Sequence, residues 1–526
     1  MERFLNGKKI NTWVFWPPFL LFFAAAIFSL TAYDTFTTTV TNAFYWTTDY
    51  FGWLFALSAF AFLVICAIIG ISPAGKIKFG GADAKPEFTT FNWFAISLCA
   101  GIGTGIVFWG AAEPILHLAT PPASLGIEAF SSEAAMFSIS TVFLHWTFTP
   151  YAIYILCAIP IALAYYNYKQ PFMVSSGLYF LIGDRCQGGA GKIVDALCLY
   201  ALAGGMATSL GGGLLQIGSG MNFIFGVPIS SLLWAAIAVF IIASYTASSY
   251  SGLNKGIRIL SDQNTKIFIF VMLFVFVFGP TKFILNFGVQ GFGEFMSNFV
   301  NQSLFLSPVD GDQWPRWWSL YYWANWMAFG PIVGLFLVRL AKGRNIRQFI
   351  AVNLVAPAVF GMIWFSIFGG AAVHAQLNGI ADLSKNMTEN GVENAIFGFF
   401  QMFPAGTLFS GIFLFTVALS FITLADSMTS TIASMSTIGL TEEDNEAPVL
   451  LKIVWGIVIG IISWVMISYA GVDGFKMISN LAGFPIMFLM IVMAISIVKG
   501  LWWPGSNFWF EKKNEIKKSI ASEEKI

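Results

Sequence analysis

Apolar stretches of membrane-crossing length recur along the chain, separated by short polar or basic joints. A spanning helix needs about 20 largely apolar residues. Stretches of that kind lie near 13–32, 49–71, 91–112, 136–165, 194–221 and 227–247. Others lie near 265–289, 317–341, 350–373, 403–435, 450–470 and 477–500. This pattern predicts an all-α polytopic membrane protein with twelve transmembrane helices. Several stretches are longer than a span requires, so tilt or breaks are expected. The first follows a basic start, as in a signal peptide. It is too long for one, and no small-x-small cleavage site follows, so it is expected to be a retained helix.

The joints orient the spans. With both termini placed in the cytoplasm, 23 of the 27 basic residues fall on the cytoplasmic side. Only Lys282, Arg316, Lys385 and Lys476 fall outside, which satisfies the positive-inside rule. The stretch "RLAKGRNIRQF" is a basic joint between two spans, and "GFGEFMSNF" in the outer loop is expected to form a short surface helix. The expected order is 1–90 with helices 1–2, 91–290 with helices 3–7, an outer loop 291–316, 317–500 with helices 8–12, and a cytoplasmic tail 501–526.

Helix-breaking residues interrupt some spans. The third holds "CAGIGTGIVFWGAAEP", where Gly101, Gly103, Gly105 and Gly110 lower the cost of unwinding. Unwound backbone at that depth lines a cavity or is buried in protein. In the fourth, "FLHWTFTPYAIY", Pro150 leaves the Trp146 carbonyl without its helical partner. In the eighth, Gly330–Pro331 is expected to interrupt the helix. Two interrupted helices five spans apart are what an inverted five-helix repeat gives, with repeats at helices 3–7 and 8–12. The tenth, "SFITLADSMTS", is hydroxyl-rich and carries Asp426, an intramembrane charge and hence a functional candidate.

The stretch "YYWANWMAFGP" adds two tyrosines, two tryptophans and a phenylalanine and no charge. A quaternary ammonium has no N–H to donate and is recognised by aromatic faces stacked around it. Tyr151 and Tyr154, three apart, share a helix face.

Composition agrees with a membrane protein. Hydrophobic residues make up 57% of the 526, charged residues only 10%, and phenylalanine occurs 56 times. The formal net charge of zero gives no sign of nucleic-acid binding. The five cysteines make no disulfide framework or metal motif, and are expected to be small buried hydrophobes. His117, His145 and His374 are too scattered for a metal site to be argued by spacing. No nucleophile–base constellation points to an enzyme.

Together "AGIGTGIVFWGAAEP", "HWTFTPYAIY", "SGLNKGIRILSDQN", "YYWANWMAFGP…FLVRLAKGRNIRQF" and "SFITLADSMTS" resemble the signatures of the betaine/choline/carnitine transporters, over residues 10 to 500. The resemblance implies a LeuT-like inverted repeat with two extra N-terminal helices, alternating access, a homotrimer in the lipid of a prokaryotic-type inner membrane, and a small quaternary-ammonium substrate. Candidates are choline, glycine betaine, carnitine, butyrobetaine and proline betaine. By motif position it assigns the substrate box to Trp146, Tyr151, Tyr154, Trp323 and Trp326, with Phe108 or Trp109 adding a face.

The chain departs from the family pattern in places. Asn325 stands where a tryptophan is common, and is a candidate for touching a substrate carboxylate or hydroxyl. Phe329 replaces a later tryptophan. Sodium-coupled members use backbone oxygens at positions matching Cys99 and Ile102 and two adjacent tenth-helix hydroxyls. Here those positions are Thr423 and Leu424, and Leu424 has no oxygen to offer. Thr208 and Ser209 are candidates for another sodium site, and Lys266 for a basic stand-in for the ion. The expected mode is therefore sodium-independent exchange, with no cofactor and sodium doubtful at Leu424. Symport with sodium or protons is the alternative, and an ion channel the alternative of another class. The short tails favour metabolic uptake or exchange over osmosensing.

Overall fold

A computed structural model describes residues 8–101, 104–251, 254–438 and 447–502, without the side chains of 91, 95, 98–101, 104, 107, 248–251 and 254–265. Its main helices are α1 (Thr12–Thr31), α2 (Tyr33–Ile71), α3 (Thr90–Gly101), α4 (Thr104–Ala119), α5 (Ser132–Trp146), α6 (Phe148–Tyr168) and α7 (Gly189–Phe225). They continue as α8 (Ser231–Ser251), α9 (Asn254–Phe278), α10 (Thr281–Ser303), α11 (Tyr321–Arg339), α12 (Ile346–Leu377), α13 (Gly406–Met435) and α14 (Val449–Trp502). Among the described residues seven helices are long and apolar enough to cross a membrane, or up to eight if the bent pair Lys266–Phe278 and Thr281–Ser303 is one span.

The expected spans near 450–470 and 477–500 form one bent element, α14. Its bend falls at Ala470 and Gly471, and Gly471 has φ 52° and ψ −125°, a conformation glycine reaches without a Cβ clash. The expected seventh span is corrected. The helix stops at Phe278, and after Gly279 and Pro280 the chain turns through 106° into α10. The helix expected within 291–299 thus begins earlier, at Thr281, and runs to Ser303. Its sequence carries a polar stripe every fourth residue, Asn286, Gln290, Glu294, Asn298 and Gln302, while Ile284, Phe287, Gly291 and Phe295 are buried. Part of that stripe, Glu294, Asn298 and Gln302, lines a cavity against α5.

The fourth span breaks where Pro150 foretold. Thr147 separates α5 from α6 with φ −117° and ψ −111°. The expected interruption at Gly330–Pro331 is corrected: α11 is unbroken from Tyr321 to Arg339, preceded by a π-turn over Arg316–Leu320. These residues serve contact instead. A Cβ on Gly330 would stand 3.1 Å from Met490 Sδ, and one on Gly334 3.2 Å from the Tyr154 carbonyl oxygen. Absent side chains let α11 lie close to α6 and α14.

The basic joint is built into the fold. Arg347 donates to the carbonyls of Gly70, Ile71 and Ser72 at 2.7, 3.2 and 3.1 Å, closing the C-terminal end of α2. Arg344 donates to Phe88 O at 2.6 Å, with its guanidinium 4.8 Å from the Trp93 ring. Asp426 lies 3.8 Å from Lys452, so the tenth-span acid has a basic partner. Cys66, Cys157, Cys186 and Cys198 are buried free thiols.

Asp312 pins the loop that precedes α11. It accepts from Ser124 N and Oγ, both at 3.0 Å, and from Trp314 N at 2.9 Å. Burial alone raises its carboxyl, but these donors outweigh burial and hold it below the ordinary carboxylate range. A lowered folded-state pKa adds stability at neutral pH that is lost as pH falls through it. Asp312→Asn is expected to lower the thermal midpoint at pH 7, with the gap to the parent narrowing in acid as the native carboxyl protonates. Melting curves at pH 7 and in acid check this.

Candidate functional site

The break at Thr147 and the close fit of α11 bring four candidate rings together. Trp146, the last residue of α5, meets Trp326 edge-on with centroids 5.3 Å apart and planes at 90°. Tyr154 meets Trp326 at 5.7 Å, and Tyr151 meets Tyr154 at 6.5 Å. All four are buried. Trp326 is fixed by its indole N–H, which donates to the His145 carbonyl at 3.1 Å. That carbonyl lies just before the break, where the helical ladder leaves acceptors free. A Cβ on Gly105 would stand 3.0 Å from Trp146 Cη2, so the glycine-rich third span opens the space the Trp146 ring fills.

The other candidates are dispersed around this group. Trp323 is fully buried behind the cage, edge-on to His145 at 5.8 Å. Phe108 packs on Trp109 at 4.6 Å. Trp109 faces Trp318 and Lys476 instead of Trp326. Asn325 accepts from Ser479 Oγ at 2.9 Å, which ties its amide to α14. Phe329 covers Gly205 of α7. Two rings missing from the sequence-derived box join it. Tyr322 lies 5.4 Å and Phe365 5.5 Å from Trp146. Tyr322 belongs to the tyrosine pair that opens α11. Phe365 lay in an apolar run with no local pattern to mark it.

The ion-site candidates are only partly placed. Ile102, Gly103 and the side chains of Cys99 and Gly101 lie outside the described residues. Thr423 Oγ1 donates to Leu419 O at 2.9 Å. Thr208 Oγ1 donates to Gly204 O at 3.1 Å and reaches Phe475 O at 3.5 Å. Ser209 is half-buried beside it, as is Leu424 beside Thr423, and Lys266 is exposed. The deeply buried lysine is Lys476. Its ammonium lies 4.0, 5.4 and 5.6 Å from the Trp318, Tyr321 and Trp109 ring centres and donates to Trp317 O at 3.1 Å. The aromatic lining here already holds one cation, its own.

The largest feature that the sequence did not reveal is a buried acid–base cluster. The expected third span stopped at residue 112, one short of Glu113, whereas α4 runs to Ala119 with Pro114 inside it. Glu113 Oε1 lies 3.2 Å from His117 Nε2 and 2.7 Å from His145 Nδ1. Its Oε2 accepts from the Trp146 indole at 2.7 Å and from the Tyr322 hydroxyl. His145 Nε2 lies 2.9 Å from Ser319 Oγ. The available signal was Glu113 and His117 four apart on one helix face. Among the described residues this is the group whose donor atoms lie close enough, within 4.8 Å, for a metal ion to be considered. Its separations are those of direct hydrogen bonds, whereas donors around a tetrahedral zinc stand roughly 3.4 Å apart. The carboxylate has four donors of its own and needs no metal.

A helical membrane protein with a broken helix at its centre and a buried, uncharged ring cage has the build of a membrane carrier. The chain belongs to the BCCT, or betaine/carnitine/choline, family of transporters, whose sequence model matches residues 13–503. It is 33% identical over 514 residues to the glycine betaine transporter OpuD of Bacillus subtilis, covering 97% of each chain. It is 34% identical to the ectoine/hydroxyectoine transporter of Virgibacillus pantothenticus, over 94% of this chain and 98% of that one. It is 31% identical to the high-affinity choline transport protein of Escherichia coli, over 87% of this chain and 67% of that one. The protein is thus a transporter, not an enzyme.

Proposed function

We propose that this protein carries a small quaternary-ammonium compound across the inner membrane by alternating access, using the cage of Trp146, Tyr151, Tyr154 and Trp326. The observation that carries this reading is four buried rings linked in a chain of contacts, Trp146 to Trp326 to Tyr154 to Tyr151, with the Glu113 carboxylate bonded to the indole N–H of Trp146. Such a lining attracts a methylated ammonium through π faces and gives a small hydrated metal ion little to replace its water. Relatives named for glycine betaine, ectoine and choline support the substrate class. The same reading takes the chain as twelve spans in a LeuT-like inverted repeat, with both ends cytoplasmic and three copies assembled.

Transport is proposed to be sodium-independent, with exchange against a related compound as its mode. Leu424 offers no oxygen beside Thr423, and an ion stripped of water needs several. An outward gradient of a related compound drives uptake without any ion. Labelled betaine or choline uptake into proteoliposomes, with sodium replaced by potassium, is expected to persist and to rise with trapped counter-substrate. Uptake that collapses without sodium, whatever is trapped inside, overturns this mode.

A further inference from the structure

We propose that Glu113, His117 and His145 form a proton-binding site, filled through Ser319 from the cavity beside it, and that a proton held there competes with the substrate cation. The inference rests on the reading of the cage as a quaternary-ammonium site, and it names what regulates that site.

Three observations converge on it. The first is the bonding. Glu113 and both histidines are wholly buried, and Glu113 Oε1 receives both rings. With the His145 Nδ1 proton given to Glu113, the Nε2 lone pair accepts from the Ser319 hydroxyl at 2.9 Å. An added proton sits on Nε2, and Ser319 then turns from donor to acceptor. Neither state leaves His145 Nε2 without a partner. Release runs the same path backwards, with the proton returning to water.

The second is access. A cavity of about 650 Å³ lies against α5 and α10, and its lining includes Ser319 and Trp314. Glu133 and Glu294 also line it, and their carboxylates favour cations at its wall. Trp314 packs on His117, with ring centroids 5.1 Å apart. The cluster is therefore one serine away from a space large enough for water, while the cage rings are buried.

The third is the link to the cage. Trp146 gives its indole N–H to Glu113 Oε2 at 2.7 Å and its ring to Trp326. A cation against that ring stands one indole away from the carboxylate. The anionic cluster favours that cation, and neutralising it removes the attraction in a setting that screens charge poorly. Coupling of this kind is reciprocal, so substrate binding also expels the proton. The other titratable or charged groups facing the cluster are Tyr321 and Tyr322 of α11 and Lys476 of α14. Lys476 sits on Trp318, the ring that also packs on His117 at 4.4 Å.

The test is calorimetric titration of the purified full chain with choline and with glycine betaine, at about pH 8 and about pH 5.5, across the usual histidine range. Each titration is repeated in two buffers of different ionisation heat. Affinity is expected to fall about tenfold on acidification, and the acid-side heats to differ between buffers by the amount a released proton carries. Glu113→Gln and His145→Gln are expected to flatten the pH profile, with thermal midpoints reporting whether each folds. The parent's own heats decide the matter where a variant does not fold. Affinity and heats independent of pH and buffer overturn the competition and leave the transport reading standing. Failure of the parent to bind either compound at any pH overturns the transport reading and the competition with it.

Discussion

Trp326→Ala and Trp146→Ala are each expected to weaken quaternary-ammonium binding at least tenfold. One lost ring face of about 1.4 kcal/mol is enough for that factor. Both rings are buried, and they meet edge-on with planes at 90°. Trp326 also anchors the bend through its bond to His145 O, and Trp146 supplies one of the four donors on Glu113. Alanine at either place thus removes a ring and loosens what holds its neighbour, and truncating a buried tryptophan costs about 3–5 kcal/mol of stability. Trp326→Phe separates the two effects. It keeps an aromatic face and drops the N–H, so its affinity is expected to lie between parent and alanine. Calorimetry on protein whose thermal midpoint has been checked makes the measurement. Affinities of both alanine variants within twofold of the parent would remove these rings from the site.

Gly483→Val is expected to prevent stable assembly of the helices that carry the cage. A Cβ on Gly483 would stand 2.0 Å from the Ala324 carbonyl oxygen and 2.8 Å from Ala324 Cα. Both neighbours are backbone, so no rotamer change relieves the contact. Either α14 or α11 has to move, and Asn325 and Trp326 follow Ala324 on α11. Overpacking a well-packed interior costs about 1–3 kcal/mol even when side chains can yield, and here they cannot. The expected result is little folded protein in the membrane and, for Gly483→Ala, a lowered midpoint with weakened binding. Gly411→Ala is the control, since a Cβ there meets nothing within 4 Å and alanine favours a helix over glycine by about 1 kcal/mol. Size-exclusion profiles and melting curves of the three variants check the contrast.

The inner ring cage was legible in part. Trp146, Tyr151, Tyr154 and Trp326 lie in two short segments whose local signals are strong: aromatic density without charge, and a proline after a Trp-Thr pair. Trp109 and Asn325 were placed in the box by position along their motifs. Position gives a height along a helix, whereas the direction in which a side chain points depends on what packs against it. Trp109 turned to Lys476 and Asn325 to Ser479. Glu113 fell one residue beyond the expected span end at 112, whereas the helix runs on through Pro114 to Ala119.

By itself the sequence determined the membrane class, the weak point that Pro150 makes in the fourth span, the apolar stretches and the family, since each rests on composition, on local backbone chemistry or on motifs contiguous in the chain. The turn of α9 into α10, the continuity of α11, the rings of Tyr322 and Phe365 at the cage, and the meeting of Glu113 with His145 were decided only by tertiary structure. Glu113 and His145 are 32 positions apart and on different helices. No local rule fixes the rotation of one helix about its axis relative to another. Packing fixes it, through glycines that admit a neighbour's backbone and through buried polar groups that need partners, and both operate between segments that the sequence keeps far apart.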